Sequence, residues 1–383
     1  MNIGICGHFL GGGGKDRFTR NLIDHLKENE DVNIHILYPR ESLDENNITT
    51  TELNNDPNRT ILKVLYQVQK LNDLKALDLD IIHCPGEIIP PYFWKIDARK
   101  IITFGGDGLV CKMPINQRIH LYRGVITPRH LLSLASIRLL KSEVDHFTTV
   151  SEMMTENIVN AYRLNQDNIT PIHHGYDPST FRKLPKKTVE QVLSKYNITT
   201  PFILHVGNFR KIKNTERILK AFIKWSKISE EDGSLVFVGP KDNSYNDVLK
   251  ISKKSDVSNR VKFLGHTSGE DLVGLYSGAE VLCQPSYRET FSFPILESLA
   301  CKTPVITSHN IGVLEEFPQS QLRVDPTNVE DIFGQLHSVV NNKKLQKDLV
   351  KNTQSFLSEH RWAHTISNYL DLYRDLCDNY DSE

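Results

Sequence analysis

Short runs of β-branched and aromatic residues recur along the chain, separated by stretches in which apolar residues return every three or four positions. In the first half the runs are NIGIC (2–6), VNIHILY (32–38), DIIHC (80–84), KIITF (100–104), HFTTV (146–150) and ITPIHH (169–174). The second half repeats the rhythm with FILHV (202–206), SLVFV (234–238), RVKFL (260–264), EVLCQ (280–284) and TPVIT (303–307). Strand alternating with helix predicts parallel sheets covered on both faces, an α/β doubly wound architecture. The rhythm breaks at YDPSTFRKLPKKT (176–188), rich in Pro and Lys, which reads as a linker and predicts two domains, 1–178 and 179–361. The segment RWAHTISNYLDLYRDL (361–376) places Trp362, Ile366, Tyr369, Leu370 and Tyr373 on one helix face, a stripe that requires a groove to bury it.

Most strands end in Gly, Pro or Ser, at Gly7, Gly105, Gly207, Gly239, Gly265, Pro285 and Ser308. Open parallel sheets bind ligands at the carboxyl ends of their strands, which predicts a site in a cleft faced by both domains. Within ETFSFPILESLACKTPV, Pro294 suits the first turn of a short helix with Ser292 or Phe293 before it. The orphan N–H groups of such a helix start attract an anion. Glu289 and Glu297 flank that start, one at the turn and one about a helical turn in, and two hydroxyl-gripping carboxylates beside a phosphate site describe a nucleotide-sugar pocket. Surface carboxylates are the ordinary alternative. In HVGNFRKIKNTERILKAF (205–222), Arg210, Lys211 and Lys213 stand where a second helix start already favours anions, giving a diphosphate clamp or else a solvated basic loop. GGGGKD (11–16) fails the Walker pattern at Phe9 and Asp16, and is either a loop that admits a ligand close to the backbone or a flexible turn. Asp107, in FGGDGL, suits an Asx turn as well as chemistry.

The composition narrows the class. The chain has 383 residues, 39% hydrophobic and 24% charged, with a formal net charge of -1. That balance offers no long-range field for nucleic acid or an anionic membrane. Six widely spaced cysteines and scattered histidines suggest neither a disulfide framework nor a metal centre. An N-terminus without a basic leader and the lack of a long apolar run imply a cytoplasmic protein. The basic amphipathic segment RHLLSLASIRLLK (129–141) adds peripheral contact of the first domain with the inner face of a membrane as a minor alternative.

The stretch 202–326 resembles the retaining glycosyltransferases of family 4. The similarity is carried by VGNFRKIKNTERILKAF, LVFVGP, VKFLGH, DLVGLYSGAEVLCQPSYRETFSFPILESLACKTPVITS, Glu315 and VDP (324–326). In the first half it continues through GGGG (11–14), TVSE (149–152) and HHGYD (173–177). The resemblance implies the GT-B fold of two Rossmann-like domains, with a C-terminal helix (362–380) crossing back onto the first. It implies that Glu297 holds the ribose hydroxyls, Glu289 the hydroxyls of the transferred sugar, and Lys213 the diphosphate. Backbone N–H groups near Phe291, Ser292 and Phe293 and at Gly12 and Gly13 assist. The implied reaction is retaining transfer from a UDP- or GDP-sugar to a glycan or lipid-linked acceptor, with no metal or other cofactor. Asn208 stands where the family has Arg, leaving Arg210 or Lys211 to compensate. Gly105 stands where it has His, leaving Asp107 as the ionisable group of that loop. Ser292 and Lys302 each replace a glycine. The Gly105 and Asn208 departures keep open a non-catalytic nucleotide-sugar-binding or scaffold subunit, and a same-fold sugar-nucleotide epimerase is a third possibility.

Overall fold

The computed structural model describes residues 1–6, 14–37, 48–50, 75–86, 93–105, 135–229, 232–267, 269–309, 311–312 and 322–378. The chain forms two compact units, Met1–His174 with Trp362–Glu383, and Gly175–Arg361.

The first unit holds β1 (Asn2–Ile5), β2 (Asn33–Ile36), β3 (Ile48–Thr50), β4 (Ile81–Pro85), β5 (Arg99–Thr103), β6 (His146–Thr149) and β7 (Ile169–Pro171). They run parallel in the order β3-β2-β1-β4-β5-β6-β7. The second unit holds β8 (Phe202–Val206), β9 (Ser234–Val238), β10 (Val261–Phe263), β11 (Val281–Gln284), β12 (Val305–Ser308) and β13 (Leu322–Val324). They run parallel in the order β10-β9-β8-β11-β12-β13. Every apolar run of the sequence is a strand, because a strand covered on both faces has no polar side to interrupt it. Only β3 and β13, three residues each, escape that reading. In each sheet the strand order reverses once, between β1 and β4 and between β8 and β11, and such reversals open a crevice at the strand ends.

The second core joins Ile203, Leu235, Phe237, Val281 and Ile306 of the sheet to Ile218, Phe222 and Trp225 of the helix Thr215–Ile228. In the first unit the helix Trp362–Asp378 lies against the helix Gly14–Leu26, with the Trp362 ring 6.3 Å from that of Phe18. Its apolar stripe is buried, and beneath it runs a closed polar chain. His83 Nδ1 lies 2.6 Å from the Tyr373 hydroxyl, and Nε2 lies 2.6 Å from Thr103 Oγ1. Thr103 continues to Thr148 at 2.5 Å, and the Tyr369 hydroxyl bonds both threonines at 3.2 and 3.3 Å. Burial pushes His83 down to about 3, so the ring is neutral and one nitrogen donates while the other accepts. Among the described residues no helix is long and apolar enough to cross a membrane.

Candidate active site

The loops after β8 and β11 flank the reversal in the second sheet. After β8 the chain passes Gly207 and makes a short 3₁₀ turn, Lys211–Lys213. It then enters the helix Thr215–Ile228 through Asn214 at φ 62°, a left-handed conformation that Asn tolerates. Asn214 Nδ2 donates to the carbonyls of Pro285 at 3.0 Å and Pro326 at 2.7 Å, tying together the loops that follow β8, β11 and β13. Behind them Gly239 sits at φ +143°, where a Cβ would fall 2.0 Å from the Gly207 carbonyl oxygen, so glycine alone permits this approach.

Glu289 is the centre of the arrangement. Its side chain is 7% exposed, and Oε2 pairs with Lys213 Nζ at 2.9 Å. Oε1 accepts from Ser286 Oγ and from Gln284 Nε2 at 3.1 Å. Burial alone pushes this carboxyl up, but the Lys213 charge and the hydrogen bonds from Ser286, Lys213 and Gln284 outweigh it and hold the group below the usual carboxylate range. A bridge to Ile311 and a bond from Gly312 N to the Glu289 carbonyl at 3.0 Å fix the backbone. Beside the pair, His205 Nδ1 donates to the Cys283 carbonyl at 2.9 Å, which leaves Nε2 as an acceptor in the neutral ring. Burial pushes His205 down to about 4. Its Nε2, Gln284 Oε1 and Asn208 Oδ1 are buried and have no hydrogen-bond partner among the described residues.

The helix Phe293–Ala300 starts as its sequence implies, with Pro294 in the first turn and Ser292 at the cap position. Ser292 makes no side-chain cap, however: its backbone lies at φ 110° and ψ 83°, and Oγ is buried without a partner among the described residues. Glu297 is 1% exposed and Oε2 accepts from the Tyr276 hydroxyl at 2.7 Å. The surface-carboxylate alternative therefore fails for both glutamates. The rings of Phe291 and Phe293 are buried edge to face at 5.9 Å, and Phe291 stacks on His360, so these side chains serve packing.

The structure joins Lys213 to Glu289 directly. Arg210 is exposed, and Lys211 uses its backbone N–H on Asn243 Oδ1 at 3.1 Å. Gly12, Gly13, Asp107 and Glu315 lie outside the described residues. Sequence reasoning passed over Gln284, Ser286, His205, Tyr276 and Asn214. The one signal for Gln284 was a polar residue ending an otherwise apolar strand. TVSE resolves into a helix cap, with Ser151 Oγ accepting from Met154 N at 3.3 Å.

Two parallel doubly wound sheets with this strand order are the fold of the GT-B glycosyltransferases. A solved glycosyltransferase from Rickettsia africae matches with a TM-score of 0.78 at 19% identity, covering 99% of both chains. HepE from Anabaena, solved in complex with UDP and glucose, matches with a TM-score of 0.77 at 12% identity over 98% of this chain and 100% of its own. In sequence, an uncharacterized glycosyltransferase of Methanocaldococcus jannaschii is 25% identical over 326 residues, 80% of this chain and 78% of the relative. Further curated relatives are matched over 54% to 62% of their own length. Residues 12–180 match Glycosyltransferase Family 4, and residues 189–356 match Glycosyl transferases group 1. The chain belongs to the family 4, group 1 glycosyltransferases.

Proposed function

We propose that this glycosyltransferase moves a sugar from a UDP- or GDP-sugar to a glycan or lipid-linked acceptor with retention at the anomeric carbon. The observation that supports this reading most is the half-buried Lys213–Glu289 pair at the reversal of the second sheet. A nucleoside diphosphate leaving group needs fixed positive charge and aligned dipoles. Lys213, the neighbouring Arg210 and Lys211, and the start of the helix Phe293–Ala300 supply them from this chain's own residues. The reading therefore includes no metal. Glu289, kept ionised, accepts hydroxyls of the transferred sugar, and Glu297 accepts the ribose diol. The neighbour HepE, solved with UDP and with UDP-glucose, lends the donor class.

For the acceptor side, the segment 129–141 is described only from residue 135, where Ile137 is buried and Leu139 is 77% exposed beside Arg138. An apolar side chain held in solvent next to a cation suits brief contact with a lipid surface, so the reading keeps peripheral membrane contact.

The test is a melting-temperature panel against nucleotide sugars and their bare diphosphates, where a ligand at a hundredfold over its Kd stabilises by about 2.7 kcal/mol. Glu297→Ala is expected to weaken binding of the bare diphosphate, whereas Glu289→Ala spares it and weakens only the nucleotide sugar. Equal losses of bare-diphosphate binding in both variants overturn the division of labour.

A further inference from the structure

We infer that Gln284 and Ser286 are positioning residues that divide the Glu289 carboxylate into a fixed oxygen, Oε1, and a working oxygen, Oε2. The inference rests on the donor reading above and assigns its sugar contact to a single atom.

Oε1 receives two donors from one short segment, the Gln284 amide at 3.1 Å and the Ser286 hydroxyl. Both donors are fully buried, so neither answers to solvent. Ser286 is itself held from the next strand, because Ser308 Oγ at the end of β12 donates to the Ser286 carbonyl. The Gln284 backbone belongs to β11, paired with Thr307 of β12. Oε1 is thus bonded to groups that the sheet holds rigidly.

Oε2 is held differently. Its ion-pair partner is Lys213, 22% exposed and on a flexible four-carbon stem. A diphosphate arriving beside the short turn Lys211–Lys213 draws that ammonium towards itself. A sugar hydroxyl then takes the donor position that Lys213 gives up on Oε2, while Oε1 stays pinned. Lys213 acts in the empty enzyme as a stand-in for the hydroxyl, and Ser286 and Gln284 ensure that the carboxylate does not rotate when the stand-in leaves. No bond is made or broken in this exchange and no proton changes owner.

The experiment uses the full chain with UDP or GDP, whichever the panel selects, and with the corresponding nucleotide sugar. Ser286→Ala is expected to lower kcat/KM for the sugar donor about ten- to a hundredfold, the scale of a hydrogen bond to a charged group, while Kd for the bare diphosphate moves less than about twofold. Ser286→Thr, which keeps the hydroxyl, is expected to restore most of the loss. Gln284→Met reaches the same oxygen by another route and is expected to show the same split, so the inference stays testable should Ser286→Ala misfold. A parallel fall in diphosphate affinity and turnover, or wild-type turnover in both variants, overturns the positioning role. Failure of wild-type chain to bind either diphosphate overturns the donor reading itself, and the inference falls with it.

Discussion

Each unit buries one histidine near the carboxyl end of a strand that flanks its sheet reversal, His83 on β4 and His205 on β8. Both rings are forced neutral by burial. There the likeness stops. His83 has a protein hydroxyl on each nitrogen and belongs to a network that ends on two tyrosines of the helix Trp362–Asp378. His205 has one nitrogen on a backbone carbonyl and the other facing Gly207, where a Cβ would lie 3.4 Å away. A buried histidine beside a sheet reversal thus serves cohesion where its polar atoms are mutually satisfied, and leaves an acceptor open where they are not.

The largest expected effect is acid sensitivity. A histidine with a depressed folded-state pKa is neutral in the native chain, whereas the unfolded chain takes up a proton as pH falls through 6.5. Its stabilising contribution is full above 6.5 and is lost progressively down to the folded-state value. Each such group loses about 2 kcal/mol between pH 6.5 and 5. The first unit has His83 and His174 at about 3, with His35 and His146 also held below the ordinary value by burial, and the second has His205 at about 4. Hydrogen exchange at pH 5 is expected to show a loss of at least about 4 kcal/mol in the first unit against about 2 in the second. Equal losses break the comparison. Glu289 does not blur it, since its contribution is present above 4.5 and is lost only below that value.

Next comes a pair of substitutions that separates cohesion from chemistry. His83→Leu strands the Tyr373 and Thr103 hydroxyls and is expected to destabilise the chain by about 3 kcal/mol in denaturant titration, with diphosphate affinity unchanged. Lys213→Ala strips the counter-charge from Glu289 and is expected to lower stability as well, but unlike His83→Leu it removes roughly 1.5–3 kcal/mol of transition-state stabilisation, read as kcat/KM. A fall in diphosphate affinity in His83→Leu, or unchanged kcat/KM in Lys213→Ala, would break the division between closed network and site. The smallest effect concerns Ser292. Ser292→Gly relieves φ 110° and is expected to stabilise the second unit by about 1 kcal/mol, measured as a rise in Tm.

The strands were legible because parallel, doubly covered strands are apolar throughout, and the helix Trp362–Asp378 because its stripe keeps a 3.6-residue period. β13 was not, since Arg323 interrupts a strand of three residues. Glu289, Glu297 and Lys213 stood out by their setting in a specific stretch of sequence. Their partners did not: Gln284 and Ser286 become informative only once β11 and its loop turn both donors onto one oxygen, and His205 meets Cys283 across 78 positions of sequence. The two replaced glycines were legible as departures but not as strain. Ser292 and Lys302 both sit at positive φ, 110° and 61°, where glycine has no steric cost.

The helix Trp362–Asp378 carries a consequence for how the molecule is made. The first sheet has all its strands once β7 has emerged, yet the tyrosines that cap His83, Thr103 and Thr148 come some two hundred residues later. At ribosomal speed that interval is on the order of tens of seconds. During translation the earlier half waits, hydroxyls uncovered, while the later half can already close around its own core. The portion synthesised first is therefore the portion finished last, and a nascent chain stalled before residue 362 leaves a full sheet without its covering helix for chaperones to shield.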